Sequence, residues 1–332
     1  MKPLLLTGMI VLTLAVLAVA PFVGMTPISP GAALANDDDD PGARIFWSLR
    51  VPRVMLGFLA GAAMSMAGMV FQAMFRNPLA TPFTLGVSSG AALGATLYIR
   101  LGLSFAVLGV AGVTLAAFAG ALLAIVVVYG LIRARPGSST GTMLLAGVAV
   151  NFTFSSFILL AHYTSDMANS FNILRWLMGR LDTVGPDEPL GLLPLVVFGG
   201  FAALALHREL NLMSVGDEIA VGRGVDVSRY RKVLFLAMSV MVGGVVAVCG
   251  PIGFVGMMAP HICRLLIGPD HRWLGPMSLM FGGIFLVVCD TLSRVLAAPA
   301  ELPVGIITAL LGGPFFLWLL TGRRGASVDT GA

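Results

Sequence analysis

The chain has 332 residues, 58% of them hydrophobic and only 11% charged, with a formal net charge of +4 and a mean hydropathy of +0.95. Such a composition lies far outside that of soluble domains and places the chain among polytopic membrane proteins. It excludes a nucleic-acid surface, since no segment interleaves basic and aromatic residues. Cys249, Cys263 and Cys289 lie in or beside apolar runs without CxxC spacing, and read as small buried hydrophobes rather than metal ligands or disulfide partners. The 18 methionines form no repeated pattern and read as gap-fillers in helix packing.

The first apolar run, 4–25, is long enough to span a bilayer, which takes about 20 apolar residues. Ala33-Leu34-Ala35 looks like a processing site, so cleavage after Ala35 stays open. The loop 36–50 carries Asp37 to Asp40, Arg44 and Arg50. Spans follow at about 53–75 and 84–99, separated by FRNPLATP. Gly57, Gly61 and Ser65, and then Gly86, Gly90 and Gly94, recur every four residues as small-residue ridges for close helix contact, with no direct transport role.

Further spans are expected at about 104–132 and 142–163. Within 164–189, Phe171, Leu174, Leu177, Met178 and Leu181 mark one face of an amphipathic helix, about 169–181, lying on the membrane surface. A span at about 190–206 leads to His207–Lys232, the longest polar interruption late in the chain. Ser214 with Asp217 is a capping-box pattern that predicts a short helix over 215–221. Gly222 and Gly224 break it, and Asp226 or Ser228 starts the helix of the next span, about 233–249. Gly250-Pro251 and Gly253 force a reversal before segments at about 254–267, 274–297 and 305–320. Ten spans result. With the N-terminus inside, inner segments hold Lys2, Arg76, Arg133, Arg135, Arg208, Arg223, Arg229, Arg231, Lys232, Arg264, Arg272, Arg323 and Arg324. That asymmetry favours both termini on the cytoplasmic side.

The only lysines, Lys2 and Lys232, follow no phosphate-cradling G-x-x-x-x-G frame, so any nucleotide chemistry belongs to another subunit. No G-x-S-x-G elbow or HExxH helix exists, which makes an enzyme a poor reading. His261 reads as a structural hydrogen-bonding residue rather than a metal ligand. His162 and Tyr163, at the outer end of the fifth span, either touch a ligand or anchor the interface. Asp290 and Arg294 are spaced for an intrahelical ion pair. No file of buried acids forms a proton relay, which counts against a proton-coupled carrier.

RVPRVMLGFLAGAAMSMAGMVFQAMFRNPLATPFTLGVSSGAALGA (50–95), CGPIGFVGMMAPHICRLLIGPDHR (249–272) and the CDTLSR…ELPVGIITALLGGPFFLWLL region (289–320) strongly resemble the permeases of the iron-siderophore, haem and cobalamin family of ABC importers. The likeness runs along nearly the whole chain in order. It implies an all-α type II importer permease of about ten transmembrane helices, one domain over 1–332, in a bacterial inner membrane. An identical copy, two cytoplasmic ATPases and a periplasmic substrate-binding protein would complete it. ATP and magnesium would sit on the ATPase, with no cofactor or metal on this chain.

The same resemblance sets the coupling helices on 214–230, making Ser214, Asp217, Glu218, Arg223, Asp226 and Arg229 the ATPase contacts. It sets Arg50, Arg53 and Arg294 as docking residues for the binding protein. For the gate it points to Asn77 and Leu79, and to Thr140, Thr142 and Met143, although RNPLA also reads as a plain helix-stopping turn. The implied cargo is a metal chelate, ferric siderophore first, then haem or cobalamin. The competing readings are an ion- or proton-coupled carrier working without an ATPase, and a non-transporting scaffold.

Overall fold

The computed structural model describes residues 1–35, 40–133 and 140–322. Asp37, Asp38, Asp39, Arg135, Arg323, Arg324 and the Thr140 side chain lie outside the described residues. Helix α1 (Lys2–Val19) leads through a 3-10 turn (Ala20–Phe22) to α2 (Pro30–Ala35) and α3 (Pro41–Ile45). A wide helical turn (Phe46–Arg50) runs on into α4 (Val51–Phe75), and a 3-10 turn (Pro82–Leu85) precedes α5 (Val87–Arg100). Next come strands β1 (Ala106–Val107) and β2 (Val110–Ala111), then α6 (Gly112–Arg133), α7 (Thr140–Tyr163), α8 (Met167–Leu177) and α9 (Asp187–Ala205). The chain continues through α10 (His207–Val215), α11 (Asp217–Gly222), α12 (Val227–Cys249), α13 (Val255–Ile267), α14 (His271–Val295) and α15 (Val304–Gly322).

Among the described residues, seven helical stretches are long and apolar enough to cross a membrane. They are Lys2–Phe22, Pro41–Phe75, Gly112–Leu131, Gly141–Tyr163, Asp187–Ala205, Val227–Cys249 and His271–Val295. With 14 and 13 residues, α5 and α13 rise only about 20 Å each, short of a hydrocarbon core about 30 Å thick. A count of ten full crossings therefore exceeds what helix length alone supports.

The centre of the bundle is α4, buried continuously from Ala60 to Phe75 and packed against α14, α13, α9 and α12. An apolar segment enclosed on all sides gains no hydrophobic drive from lipid, so its contacts depend on how closely the backbones approach. The small-residue ridges supply that approach. A Cβ on Gly61 would overlap the Gly282 carbonyl and one on Gly282 would overlap Ser65, which seats α4 on α14. Gly90 and Gly94 meet Gly120 and Ala116 in the same way, which seats α5 on α6. Gly68 abuts the Gly256 carbonyl of α13, with backbone on both sides and nothing able to move aside. Gly68→Ala is accordingly expected to cost about 1–3 kcal/mol, while Gly130→Ala, in open space inside α6, is expected to stabilise by about 0.5 kcal/mol. A thiol-reactive fluorophore that reports exposure of the buried Cys249, Cys263 and Cys289 on heating checks both.

The structure corrects three local expectations. The start of the 104–132 span is a β-hairpin, because Leu108 and Gly109 both take positive φ (51° and 81°) and close a two-residue turn. The amphipathic helix stops at Leu177, and Gly179 (φ 73°) turns the chain so that Arg180 N–H donates to the Cys249 carbonyl at 2.7 Å. Ile173 and Trp176 turn into the bundle toward α5, and Phe171 and Leu174 of the expected face stay exposed, as a face laid on a membrane surface requires. The polar stretch also holds more helix than its capping box implied, since His207–Val215 forms α10.

Candidate functional site

Two regions at opposite ends of the bundle, and a groove between them, hold the chemistry. At one end α10 and α11 make a corner. Gly216 separates them, and α11 has no side-chain cap. Ser214 is not that cap: its hydroxyl donates back to the Asn211 carbonyl at 2.7 Å, one turn earlier in α10. Leu210, Met213 and Ala220 are buried and hold the corner to the bundle. Asp217 accepts from Arg231 of α12 through both carboxylate oxygens, at 2.9 and 2.8 Å. Asp226 caps α12 by accepting from Arg229 N–H at 3.0 Å, as its position before the apolar run implied.

What the corner leaves outside is specific. Val215 is 64% exposed, Ile219 50% and Val221 61%, flanked by exposed Glu218, Arg223 and Arg229. An apolar ridge between charges, on a corner tied down from beneath, has the composition of a surface that seats in a partner's groove. Of the residues expected there, Ser214, Glu218, Arg223, Asp226 and Arg229 are exposed, and Asp217 is partly withdrawn into its ion pair.

At the opposite end the expected docking arginines are turned inward. Arg50 is 7% exposed and donates to the carbonyls of Pro21 and Phe22, both at 3.2 Å, and to that of Thr26. Arg294, 4% exposed, donates to the Val23 carbonyl at 3.0 Å and lies 3.3 Å from Asp290. Arg53 grips Asp290 at 2.9 and 3.0 Å, donates to Glu301 at 2.7 Å and lies 3.5 Å from Asp182. The Asp290–Arg294 pair along one helix exists, but the shorter contact is with Arg53, from a helix 237 positions away in sequence. All three arginines line a cavity of about 800 Å³ shared with Arg180, Asp182, Glu188 and Glu301. Their role here is to tie the ends of α1, α4 and α14 together around that cavity. An incoming acidic partner would have to compete for them.

The expected gate residues are split between the two ends. Arg76 takes a left-handed conformation (φ 49°) that ends α4, and Asn77 accepts from Leu79 N–H at 2.9 Å. RNPLA is thus a helix-stopping turn that leaves Leu79 55% exposed. The following turn closes with Thr81 and Thr84 capping one another and packs on α7 near Gly147. Thr142 and Met143 stand at that same end of α7, with Met143 buried. His162 and Tyr163 end the same helix some twenty residues on, about 30 Å away. Tyr163 is 88% exposed, and the His162 carbonyl accepts from Ser170 at 3.2 Å, which ties α7 to α8. His261 packs against Phe315 and Phe316.

Sequence reasoning missed the groove along the bundle's side. Ser88, Ser89, Asn151 and Ser155 put polar groups into a hollow of about 380 Å³ whose other walls are apolar. It shares Leu177 and Pro251 with a second hollow of about 460 Å³ along α15. The signal was present as Asn151 and Ser155, four apart on an otherwise oily α7. Among the described residues no cluster of His, Cys, Asp and Glu could hold a metal ion.

Comparison with known proteins agrees across the chain. Residues 9–322 match the FecCD transport family. The cobalamin import system permease protein BtuC of Halobacterium salinarum is 45% identical over 285 residues, 84% of this chain and 74% of the relative. The hemin transport system permease protein HmuU of Yersinia pestis is 37% identical over 325 residues, 97% of each chain. A solved inward-facing conformation of a metal-chelate type ABC transporter superposes with a TM-score of 0.84 at 28% identity, covering 97% of this chain and 99% of the other.

Proposed function

The chain belongs to the FecCD transport family, as a multi-pass permease of the ABC importers for iron chelates, haem or vitamin B12, and from that membership we propose a specific division of labour. Two copies form a central path in a bacterial inner membrane, termini inside. Two cytoplasmic ATPases, holding ATP and magnesium, seat the α10–α11 corners in their clefts. A periplasmic binding protein delivers cargo to the cavity end. The observation that carries this reading is the corner itself, an exposed apolar ridge edged with charge and anchored beneath by Leu210 and Met213. Nucleotide-driven closure of the ATPases would draw two such corners together and shift the helices behind them between two access states.

The cargo is a preassembled chelate. The side groove offers hydroxyl and amide groups and apolar walls, which suit the periphery of a large ligand that keeps its own metal wrapped. Of the three cargo classes, we place cobalamin first, ahead of the ferric siderophore that family breadth alone favours. The identity to the Halobacterium permease supports this order, and haem would call on the single His162–Tyr163 pair at the outer end of α7. In vesicles carrying permease, ATPase and binding protein, labelled cobalamin is expected to accumulate with ATP at least about tenfold over a ferric hydroxamate or haem, a margin of about 1.4 kcal/mol. Equal accumulation with the ATPase omitted and an ion gradient imposed would establish the secondary carrier instead.

A further inference from the structure

The corner is fastened to the bundle by more than apolar packing. Asn211, on α10, donates from its amide nitrogen to Asp270 at 2.9 Å. Its amide oxygen accepts from the His271 backbone N–H at 2.9 Å and from the His271 ring Nδ1–H at 2.7 Å. Both partners start α14, where Asp270 is the N-cap and also accepts from Arg272 N–H at 3.1 Å. The hydrogen bond from Asn211 holds the Asp270 carboxyl below its usual range, assisted by the Arg272 N–H and against its partial burial, so it remains an acceptor at neutral pH. His271 is 3% exposed, so these bonds are shielded from exchange with water.

The helix held this way is continuous. From Asp270, α14 runs 25 residues, about 37 Å, to the cavity end, where Asp290 and Arg294 meet Arg53 and the turn after α1. Its flank is seated on α4 by the Gly61–Gly282 contact. A second polar tie, Asp217 to Arg231, joins the corner to α12. At Leu206, between α9 and α10, His207 Nδ1 meets the Leu204 carbonyl at 2.8 Å, so the corner's polar connections to helices distant in sequence are those to α12 and α14.

We infer that Asn211 is a positioning residue that makes α10 and α14 move as one body, so that a displacement imposed on the α10–α11 corner arrives at the Arg53–Asp290 cluster. This rests on the proposed ATPase-driven function for its purpose, though the fastening can be measured without it. An apolar side chain of similar size at 211 removes three hydrogen bonds while filling the space, which leaves the buried backbone and ring donors of His271 unpaired and Asp270 with only the Arg272 N–H.

The test uses the full chain in lipid nanodiscs, with spin labels at Arg208→Cys, exposed on α10, and Val295→Cys, exposed at the far end of α14, the native cysteines being buried. With each doubly labelled copy diluted in an excess of unlabelled copies, so that distances within one copy dominate, the parent is expected to give one narrow distance distribution. Asn211→Leu and Asp270→Leu broaden it, and Asp270→Asn, which keeps an acceptor oxygen, does not. In the assembled importer, Asn211→Leu is expected to retain ATP hydrolysis and lose about tenfold in cargo moved per ATP, the loss of a shared set of hydrogen bonds. A narrow distribution in both leucine variants, or parental cargo per ATP in Asn211→Leu, overturns the inference. Cargo uptake by the parent without any ATPase would instead refute the proposed function, with the distance arm still deciding whether Asn211 fastens the two helices.

Discussion

Aspartate at both Val215 and Ile219 is expected to lower ATP-dependent uptake by about a hundredfold or more while leaving the isolated permease as stable as before. The two side chains are 64% and 50% exposed, so a carboxylate there disturbs nothing in the folded chain and falls among near-neutral surface changes. In a partner's cleft the same positions lose water. Each then forfeits the burial of an apolar side chain, about 1.5 kcal/mol or more, and in addition forces a charge into a desolvated site. Two such residues at the centre of a small contact exceed the roughly 2.7 kcal/mol that a hundredfold effect needs. Co-purification of the ATPase with the variant, the uptake rate and the thiol-fluorophore melt separate the cases. A variant that melts normally, retains the ATPase and transports at the parental rate would show that the corner faces no partner.

Arg53→Met has the second large expected effect, and it acts on stability. The guanidinium is the hub for Asp290, Glu301 and Asp182. Asp290 is 2% exposed, and without Arg53 it keeps only Arg294 at 3.3 Å. Removing one partner of a buried pair leaves an uncompensated charge, which costs about 3–5 kcal/mol. Removing both charges costs far less, so Arg53→Met with Asp290→Asn is expected to recover most of the loss. The unfolding midpoint read by the three buried cysteines reports the series. Equal destabilisation in the single and double variants would mean that the pair contributes through packing alone. The comparison also bears on docking. An acidic partner residue that takes Arg53 must offer as much as three carboxylates already do, so exchange would occur only when it arrives together with other contacts.

Much of the fold was legible because its signals are local. Most apolar runs, the Gly250-Pro251 reversal, the Asp226 cap and the four-residue spacing of Gly57, Gly61 and Ser65 depend on neighbours in sequence, and they stand where the pattern put them, the hairpin at the start of 104–132 excepted. The capping box at Ser214 misled because a hydroxyl has two local choices. Ser214 lies inside α10, where its hydroxyl donates to the Asn211 carbonyl one turn back, and Gly216, not Ser214, holds the N-cap position of the next helix. The amphipathic face at 169–181 misled because its apolar positions were assigned to one helix, whereas Gly179 places Leu181 in a different segment.

The sequence by itself determined a membrane protein with a late charged interruption and no nucleotide motif, since hydropathy, spacing and missing motifs need no coordinates. Only the tertiary structure decided which charges meet. Asp290 has a ready partner one turn away in Arg294, yet Arg53 approaches closer from 237 positions distant, because assembly of α4 against α14 brings two helix ends to one cavity. Asn211 likewise looked like one more polar residue in a loop until α10 folded against the start of α14. A hydrogen-bonded ion pair needs its atoms within about 3–4 Å, so partner choice follows from which backbones can touch, and that depends on glycine contacts spread across the whole bundle.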